Sequence, residues 1–315
     1  MLPGASKTFI NVMIQPMKIL VLGGGTSPER EISLQSSAAV RAALESLHHT
    51  VTYLDAAEGD EAILAAAKDV ELIMPILHGP GGEDGEIQAL LERTGKPYLG
   101  SGVEASQRCI NKVIVKELLL QNGLPTARFA VVTKESFATS PIATKPFVLK
   151  PVDDGSSVGL LVVRELPYDQ AKVDELFSHH SDLLLEELVV GTEITVPILG
   201  TEVMPIVEIM PPAGESFDYE NKYNGHSTEL CPPQHVTKEV QEQAQALAMK
   251  IHTLVGARHL SRTDMIVRPD GSIMVLEINT LPGMTSASLY PKSAAAAGYD
   301  FEKLVARFVE LSTAK

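Results

Sequence analysis

Two acidic residues and an asparagine near the carboxyl-terminal end have the types and spacing of a site for a hard divalent cation. Asp264 lies in one strand-like run, and Glu277 and Asn279 lie in the next. The dipeptide Asp270-Gly271 between the runs is typical of a hairpin turn. A two-residue loop there would place Asp264 opposite Glu277. Because opposed carboxylates repel each other unless positive charge lies between them, the hairpin predicts a Mg²⁺ or Mn²⁺ site.

The same register assigns the two faces of the hairpin. It pairs Arg262 with Asn279, and alternation places both on the face of Asp264 and Glu277. The opposite face is predicted to pack in the core, and it consists of Thr263, Met265, Val267, Met274, Leu276 and Ile278. The hairpin alone leaves one alternative open, in which both acids lie on a solvated face and pair with Arg262.

Lysines near a glycine-serine loop are candidates for binding phosphate. The segment 150–159 joins two strand-like runs and is rich in backbone and hydroxyl donors, which can fold over a triphosphate. Lys150 at its start, together with Lys112, supplies positive charge in an acidic chain. The segment lacks the spacing of a Walker P-loop, and the glycines at 23–25 lack the spacing of a dinucleotide site. Alternatively, the loop is a plain turn and each lysine is a solvated surface residue.

Composition narrows the class of protein. The chain has 315 residues, of which 44% are hydrophobic and 21% charged, enough for two or three domains with their own cores. A net charge of −14 argues against nucleic acid or an anionic membrane as a partner. No apolar run approaches the roughly 18 residues that cross a bilayer, so a soluble protein is expected. Cys109 and Cys231 have no disulfide or metal spacing, which favours the cytoplasm.

The elements that must position these residues follow an α/β pattern. Residues 1–16 lack the features of a signal peptide and are expected to be a tail. A strand from residue 18 to 22, a glycine loop and a helix with Ser27 as its N-cap then predict an open α/β domain over residues 17–101.

Two further units follow the first. Residues 102–187 are predicted to contain a helix at 112–121 and the strands on either side of the glycine-serine loop. Residues 188–315 are predicted to contain strands at 193–199 and 203–209, then a long helix, the metal hairpin and a terminal helix.

Seven blocks in this order resemble the D-alanine–D-alanine ligase family, and together they extend over nearly the whole chain from Met17. They are GGTSPEREISL at 24–34, LHGPGGEDG at 77–85, PYLGSG at 97–102, KPVDDGSSVG at 150–159, KY at 222–223, RTD at 262–264 and EINTLPGMT at 277–285. The resemblance implies a mixed α/β ATP-grasp fold of three domains, with ATP between the central and C-terminal domains. It also implies a homodimer formed through the N-terminal domain and a role in peptidoglycan synthesis.

The resemblance further implies which residues bind the nucleotide and the metal. It gives Asp264, Glu277 and Asn279 as ligands of Mg²⁺ or Mn²⁺, with two ions in each site. The residues that it implies for ATP are Lys112, Lys150, Ser156, Ser157 and Lys222 near the phosphates, Glu186, Glu187 and Val189 near the adenine, and Glu193 near the ribose. One departure from the family is Glu187-Leu188, which replaces the usual lysine-aromatic pair beside the adenine.

The same resemblance implies the residues around the two D-alanine molecules. Glu29 would bind the ammonium group of the first D-alanine and form a hydrogen-bonded trio with Ser156 and Tyr223, and His78 would lie nearby. Arg262 and the Gly283 amide would stabilise an oxyanion. The residues implied for the second D-alanine are Ser288, Leu289 and Lys222. A second departure is the segment 224–229, which is shorter than expected for a substrate-covering loop.

The expected reaction is transfer of the ATP γ-phosphoryl group to one D-alanine, followed by attack of a second D-alanine amine. Another ATP-grasp ligase, including one that accepts D-lactate, remains an alternative; Tyr223 favours an amine acceptor, whereas His226 leaves the ester open. A non-enzymatic nucleotide-binding protein is a second alternative. A Rossmann dehydrogenase is a third, and the glycine spacing disfavours it.

Overall fold

The computed structural model describes residues 15–153, 155, 159–212 and 227–314. Its first sheet is parallel, with strand order β2-β1-β3, and consists of β1 (Lys18–Gly23), β2 (Thr50–Asp55) and β3 (Leu72–Pro75). The helices near it are α1 (Arg30–Ser46), α2 (Asp60–Ala66) and α3 (Glu86–Glu92), with 3-10 turns at Ala56–Glu58 and Ala67–Asp69. This is the open α/β domain that the sequence predicts.

Both faces of this sheet are covered. Ile19 and Val21 on β1 pack against α1 and against the C-terminal helix α10 (Phe301–Thr313), whereas Leu20 and Leu22 pack on the other side with α2 and α3. Alternating residues of a strand point to opposite faces, so the apolar run 19–22 of β1 requires cover on both sides. The last helix of the chain therefore completes the core of its first domain.

The second sheet is antiparallel, in the order β4-β7-β5-β6. It consists of β4 (Phe129–Val132), β5 (Phe147–Lys150), β6 (Leu161–Val163) and β7 (Leu183–Glu187). One face packs against α6 (Lys134–Phe137) and α7 (Gln170–His179). The other face presents Val148, Lys150, Val162 and Glu186 to a cavity.

The third sheet has the main order β11-β10-β8-β12-β13, with β9 paired to β8. Its strands are β8 (Thr192–Leu199), β9 (Glu202–Val203), β10 (Val207–Met210), β11 (Thr228–Leu230), β12 (Leu260–Val267) and β13 (Ile273–Asn279). One face packs against α8 (Lys238–Val255) and also against α4 (Val103–Ile110) and α5 (Lys112–Gln121). The helix α9 (Leu289–Ala296) lies between α10 and the strands β8 and β10.

Two local predictions were wrong. The single strand predicted at 203–209 is divided between β9 and β10, because Pro205 lacks the N–H group that would continue the ladder. Helix α1 begins at Arg30 and not directly after Ser27. The Ser27 hydroxyl donates to the His78 carbonyl oxygen at 2.7 Å and accepts the Glu29 amide at 3.2 Å, so it joins two loops and closes the turn before the helix, whose N-cap is Glu29.

The domain limits at 101/102 and 187/188 stay predictions, and packing crosses both of them. Helices α4 and α5 lie in the proposed central domain but share the core of the third sheet. Among the described residues, every helix is too short or too polar to cross a bilayer.

Candidate active site

The two acids of the hairpin are direct partners, as the sequence predicts. Asp264 on β12 lies opposite Glu277 on β13, and Arg262 lies opposite Asn279. The predicted two-residue turn is wrong, because the Arg268 amide donates to the Ser272 carbonyl oxygen at 2.8 Å and closes a three-residue loop. A bulge between Asp264 and Met265 then shifts the register back by one residue. The longer loop moves the register by one residue and the bulge moves it back, so the two carboxylates still lie opposite each other.

The bulge also changes which side chains reach the core. The buried residues of β13 are Ile273, Val275 and Ile278, and Met265 and Val267 pack with them from β12. The prediction that Met274 and Leu276 belong to the core face was wrong. Leu276 is the extra residue of the bulge, and it lines the cavity next to Glu277.

Asp264 is oriented by two neighbouring side chains. Arg262 Nε donates to Asp264 Oδ1 at 2.9 Å, and Arg262 Nη2 donates to Asp264 Oδ2 at 2.8 Å. The Thr195 hydroxyl donates to Asp264 Oδ1 at 2.5 Å. Among the described residues, these donors fill both lone pairs of Oδ1 and one of the two on Oδ2. The alternative of a plain ion pair with Arg262 is thus realised in part, and it does not prevent Asp264 from binding a cation.

The donor set fits a hard divalent cation. In the part of the chain that the structure describes, Asp264 keeps one acceptor position on Oδ2. Glu277 is its direct cross-strand partner, and both line the same cavity. Asn279 Oδ1 accepts the Leu281 amide at 2.9 Å, which orients an amide oxygen at the end of β13. Two carboxylates and one amide oxygen are ligands that suit Mg²⁺ or Mn²⁺.

A cavity of about 540 Å³ separates the second sheet from the third. Apolar side chains from both sheets, including Val148, Val162 and Ile266, form opposed walls of this cavity. Lys150 and Glu186 lie on the wall from the second sheet, and Glu193, Asp264 and Glu277 lie on the wall from the third. A cavity with apolar walls and several charged lining groups suits a heterocycle that carries an anionic tail.

Three of the residues implied for the nucleotide lie where β7 passes into β8, beside this cavity. Val189 is buried and lines the cavity with Glu187 and Glu193. Arg268 Nη2 lies 3.1 Å from Glu187 Oε1, an ion pair that joins the end of β7 to the end of β12. The departure at Glu187 therefore has a structural consequence, because this side chain pairs with the third sheet.

The buried carboxylate of Glu186 forms ion pairs with the ammonium groups of two lysines. Its Oε2 lies 2.7 Å from Lys150 Nζ, and its Oε1 lies 2.5 Å from Lys116 Nζ. Burial opposes ionisation of Glu186, but the charges of Lys150 and Lys116 outweigh it and lower the pKa of this carboxyl. Burial likewise opposes the charge of Lys150, yet Glu186 and Glu277 raise the pKa of Lys150 overall.

Lys116 was missed by the sequence analysis. It lies one helical turn after Lys112 on α5 and is completely buried, and burial lowers its pKa despite the charge of Glu186. The signal available in the sequence was a lysine on the buried stripe that also contains Val115 and Leu119. Lysine is rarely buried without a partner, so this pattern predicts a buried carboxylate nearby.

A smaller cavity of about 40 Å³ adjoins the large one. Its lining includes Glu29, Glu83 and Asn279, and it shares Lys112 and Glu277 with the large cavity. The buried acid Glu29 therefore lines only the smaller cavity, whereas Lys112 and Glu277, which could contact a terminal phosphate, line both.

Glycines give the Glu29 carboxylate its space. A Cβ atom added to Gly79 would lie 2.5 Å from Glu29 Oε2, and one added to Gly155 would lie at the same distance. Gly155 belongs to the glycine-serine loop, so this loop reaches the N-terminal domain at Glu29. Any larger residue at Gly155 would displace the carboxylate.

His78 and Glu83 lie on another wall of the same region. His78 Nδ1 lies 3.0 Å from the Leu281 carbonyl oxygen and 3.6 Å from Glu83 Oε1. His78 Nε2 is buried and has no hydrogen-bond partner among the described residues. Burial raises the pKa of Glu83, and the nearby charge of Glu29 acts in the same direction.

The residues after β13 form a tight turn. A Cβ atom on Gly283 would lie 2.9 Å from Ser288 Oγ, and this oxygen accepts the Thr285 amide at 3.0 Å. Leu289 is buried and packs with Val207 and Ile209. The Leu289 side chain therefore contributes to the core, which leaves its backbone as the part available to a ligand.

Four of the implied residues lie outside the described residues. They are Ser156, Ser157, Lys222 and Tyr223. The first half of the short segment 224–229, which includes His226, lies outside them as well.

Two sheets that enclose a nucleotide-sized cavity, with Lys150 on one wall and the paired carboxylates of Asp264 and Glu277 on the other, define an enzyme of the ATP-grasp class. Comparison with known proteins gives the family. The family model described as the C-terminus of D-ala D-ala ligase matches residues 118–310, and the one described as its N-terminus matches residues 56–101. The protein belongs to the D-alanine–D-alanine ligase family.

Curated relatives and solved structures agree with this assignment. The D-alanine–D-alanine ligase of Actinobacillus succinogenes is 41% identical over 305 residues, which cover 95% of this chain and 99% of the relative. The enzyme of Nitratidesulfovibrio vulgaris is 39% identical and covers 94% and 98% respectively. The structure of the Bacillus anthracis ligase complexed with ATP matches with a TM-score of 0.81 at 30% identity, covering 94% of this chain and 97% of that one.

Proposed function

We propose that the protein joins two D-alanine molecules into D-alanyl-D-alanine, with ATP as the energy source and ADP and phosphate as the other products. One observation carries the proposal most directly. Lys112 and Glu277 line both the large cavity and the smaller cavity that contains Glu29. A terminal phosphate and a carboxylate acceptor can therefore meet at the boundary between a nucleotide site and an amino-acid site.

The large cavity has the groups that ATP requires. Its apolar walls suit the adenine, and Glu193, Lys150 and Lys112 also line it. Glu193 is proposed to bind the ribose, and the two lysines are proposed to bind the phosphates. ATP binding is also supported by the related Bacillus anthracis ligase, whose crystal structure is a complex with ATP.

The first D-alanine is proposed to bind in the smaller cavity, with its ammonium group at Glu29. Its carboxylate would then point towards Lys112 and Glu277. A carboxylate is a poor electrophile because it is negatively charged and lacks a good leaving group. Attack of a carboxylate oxygen on the γ-phosphorus, with ADP leaving, forms an acyl phosphate and removes both defects.

Asp264, Glu277 and Asn279 are proposed to hold Mg²⁺ or Mn²⁺, as two ions in each site. Such ions offset the negative charge of the phosphates during transfer. The chain's own contribution is to fix this donor set, which the fork of Arg262 and the hydroxyl of Thr195 achieve at Asp264.

The second D-alanine is proposed to attack the acyl phosphate through its amine. The nitrogen forms a bond to the carbonyl carbon, inorganic phosphate leaves, and the amine loses a proton. Arg262 and the Gly283 amide are proposed to stabilise the oxyanion of the tetrahedral intermediate. Removal of one such donor costs on the order of 3 kcal/mol of barrier in other enzymes. Ser288 and the Leu289 backbone are proposed to receive this second substrate.

The cellular setting follows from the same family. We propose that the enzyme acts in the cytoplasm, in peptidoglycan precursor synthesis, as a homodimer formed through the N-terminal domain. Light scattering coupled to gel filtration tests for the dimer. The expected mass is twice the 33.9 kDa of one chain.

The reaction is tested by incubating the protein with ATP, Mg²⁺ and D-alanine. One ADP, one phosphate and one D-alanyl-D-alanine are expected for each turnover. A parallel reaction with D-lactate and D-alanine together distinguishes amide from ester product by mass. Binding of ATP without phosphate release on addition of D-alanine would contradict the proposal.

A further inference from the structure

Lys116 is completely buried and takes no direct part in either cavity. Its Nζ atom lies 2.5 Å from Glu186 Oε1 and donates to the Thr126 hydroxyl oxygen at 2.6 Å. It also lies 5.3 Å from the centre of the Phe129 ring, a favourable position for a cation. The side chain is therefore held in one place by contacts on several sides.

This position is fixed relative to both sheets of the nucleotide cavity. Glu186 and Phe129 belong to β7 and β4 of the second sheet. Thr126 in turn donates to the Val275 carbonyl oxygen on β13 at 2.9 Å, two residues before Glu277. Lys116 thus lies where the two sheets join, behind the wall that Lys150 presents to the cavity.

The two lysines of this cluster differ in exposure. Within ion-pair contact, one carboxylate, Glu186, meets two ammonium groups; the nearby carboxylates of Glu277 and Glu193 also act on Lys150. The Lys116 side chain is 0% exposed, whereas the Lys150 side chain is 12% exposed and lines the large cavity. Lys150 is therefore the member of the cluster that an anion in the large cavity can reach.

Each oxygen of the Glu186 carboxylate pairs with a different lysine, which gives the two lysines different roles. Lys116 occupies Oε1, so Glu186 already has a counter-ion that no ligand can remove. Lys150 is then able to turn its ammonium group towards an anion without leaving a buried carboxylate unpaired. Without Lys116, Lys150 would be the only cation on Glu186 among these contacts, and its transfer to a phosphate would cost the pairing of that carboxylate.

We propose that Lys116 is a positioning residue that neutralises Glu186 and thereby keeps Lys150 available to the phosphate chain of the nucleotide. This inference rests on the proposed function, because it takes ATP as the ligand of the large cavity. It assigns Lys116 a role in affinity for phosphate and not for adenine.

The test compares ATP with adenosine, which lacks the phosphates. Dissociation constants for both ligands are measured by titration calorimetry for the full chain and for Lys116→Met, the double variant Lys116→Met with Glu186→Gln, and Lys134→Met. Lys134 is a matched control, because it forms an exposed ion pair with Asp174 at 3.0 Å on the same domain. The ratio of the two constants isolates the contribution of the phosphates and cancels changes in adenine binding.

The expected result is selective. In Lys116→Met the ratio of adenosine to ATP dissociation constants falls at least about tenfold, the size of one charge-assisted contact. The double variant recovers most of that ratio, because the neutral amide that Glu186→Gln introduces no longer needs a cation, and Lys134→Met is unchanged. A purely structural role would weaken both ligands alike and would make the double variant worse.

Two results would overturn the inference. One is an unchanged ratio in Lys116→Met while the unaltered protein prefers ATP to adenosine, which contradicts this inference alone. Failure of the unaltered protein to prefer ATP would instead contradict the proposed function and this inference with it. If Lys116→Met does not fold, the double variant decides the question, because it buries no unpaired charge at position 186. A ratio of adenosine to ATP dissociation constants below one-tenth of the original value in that variant contradicts the inference.

Discussion

Lys112 and Glu277 lie at the common boundary of two cavities and carry opposite charges. Lys112 is the first residue of α5, and its backbone amide donates to the Val152 carbonyl oxygen at 2.9 Å, which ties the start of the helix to the glycine-serine loop. Glu277 comes from the bulged strand β13. A cation and an anion so placed can hold a phosphate on one side and a metal ion on the other.

Substitution of Glu277 tests the metal assignment. In Glu277→Gln the shape is kept but one carboxylate of the opposed pair is lost, so the ion should bind more weakly. We expect turnover to fall about 100-fold or more at moderate Mg²⁺ concentration, with little change in the melting temperature. Steady-state kinetics over a range of Mg²⁺ concentrations measures this, with Glu242→Gln on the exposed side of α8 as control. Undiminished turnover at the moderate Mg²⁺ concentration, with no rise in the Mg²⁺ concentration needed for half-maximal activity, would refute the assignment.

A methyl group at Gly155 tests the contact between the glycine-serine loop and Glu29. The added Cβ of Gly155→Ala would lie 2.5 Å from Glu29 Oε2, so either the carboxylate or the loop must move. We expect KM for the first D-alanine to rise about tenfold or more, because one charge-assisted contact is weakened. Binding of adenosine should not change.

Gly102→Ala is the matched control for that substitution. Its Cβ would meet no atom closer than 3.8 Å, and its backbone φ of −79° suits alanine. Equal effects of the two substitutions would mean that Gly155 does not act through Glu29.

Replacement of Arg262 by lysine tests the fork that it forms with Asp264. Lysine keeps the charge but cannot donate to both carboxylate oxygens in one plane. We expect Arg262→Lys to lower kcat by roughly 10²-fold, since an oxyanion donor and the orientation of Asp264 are both lost. KM for ATP should change less than kcat. Arg41→Lys, on the exposed face of α1, serves as control; a kcat within twofold of the original would exclude the proposed role of Arg262.

The buried His252 predicts how stability depends on pH. Burial lowers its pKa to about 4, and its Nδ1 lies 2.7 Å from Ser261 Oγ. The folded chain therefore binds fewer protons than the unfolded chain between about pH 6.5 and pH 4. The stabilisation is present above pH 6.5 and is lost as the pH falls to about 4, by up to about 3 kcal/mol for this group.

The control for this effect is His252→Gln, which keeps a polar group near Ser261 but does not titrate. Urea unfolding at pH 7, 6 and 5 should show a smaller loss of stability in the variant than in the original chain. Parallel curves for the two proteins would show that His252 is not the group responsible.

The pairing of Asp264 with Glu277 could be predicted because β-strands alternate and Asp-Gly marks a turn. The turn length and the bulge could not be predicted from these patterns, and in the structure β13 also packs on α5 and α8. The predicted pairing of Asp264 with Glu277 is correct because the longer turn shifts the register by one residue and the bulge shifts it back. It is wrong at Met274, which lies between the turn and the bulge, and at Leu276, which is the extra residue of the bulge. Local pattern thus determined the metal face but not the core face.

Glu186 and Lys116 show a second limit of sequence reasoning. A resemblance can place Glu186 near the adenine, but the lysine that occupies its second oxygen comes from a helix 70 positions earlier, and no spacing connects them. Leu289 is similar, because its burial with Val207 and Ile209 depends on the docking of α9 on the third sheet. Contacts between distant elements therefore had to come from the structure.

The central claim is that a D-alanine carboxylate oxygen attacks the γ-phosphorus of ATP where Lys112 and Glu277 separate the two cavities. It is tested by supplying D-alanine with ¹⁸O in its carboxylate and measuring the mass of the released phosphate. We predict one ¹⁸O atom in each phosphate formed together with D-alanyl-D-alanine, because the acyl phosphate keeps that oxygen on phosphorus when the amine displaces it. Unlabelled phosphate accompanying dipeptide formation would contradict the account.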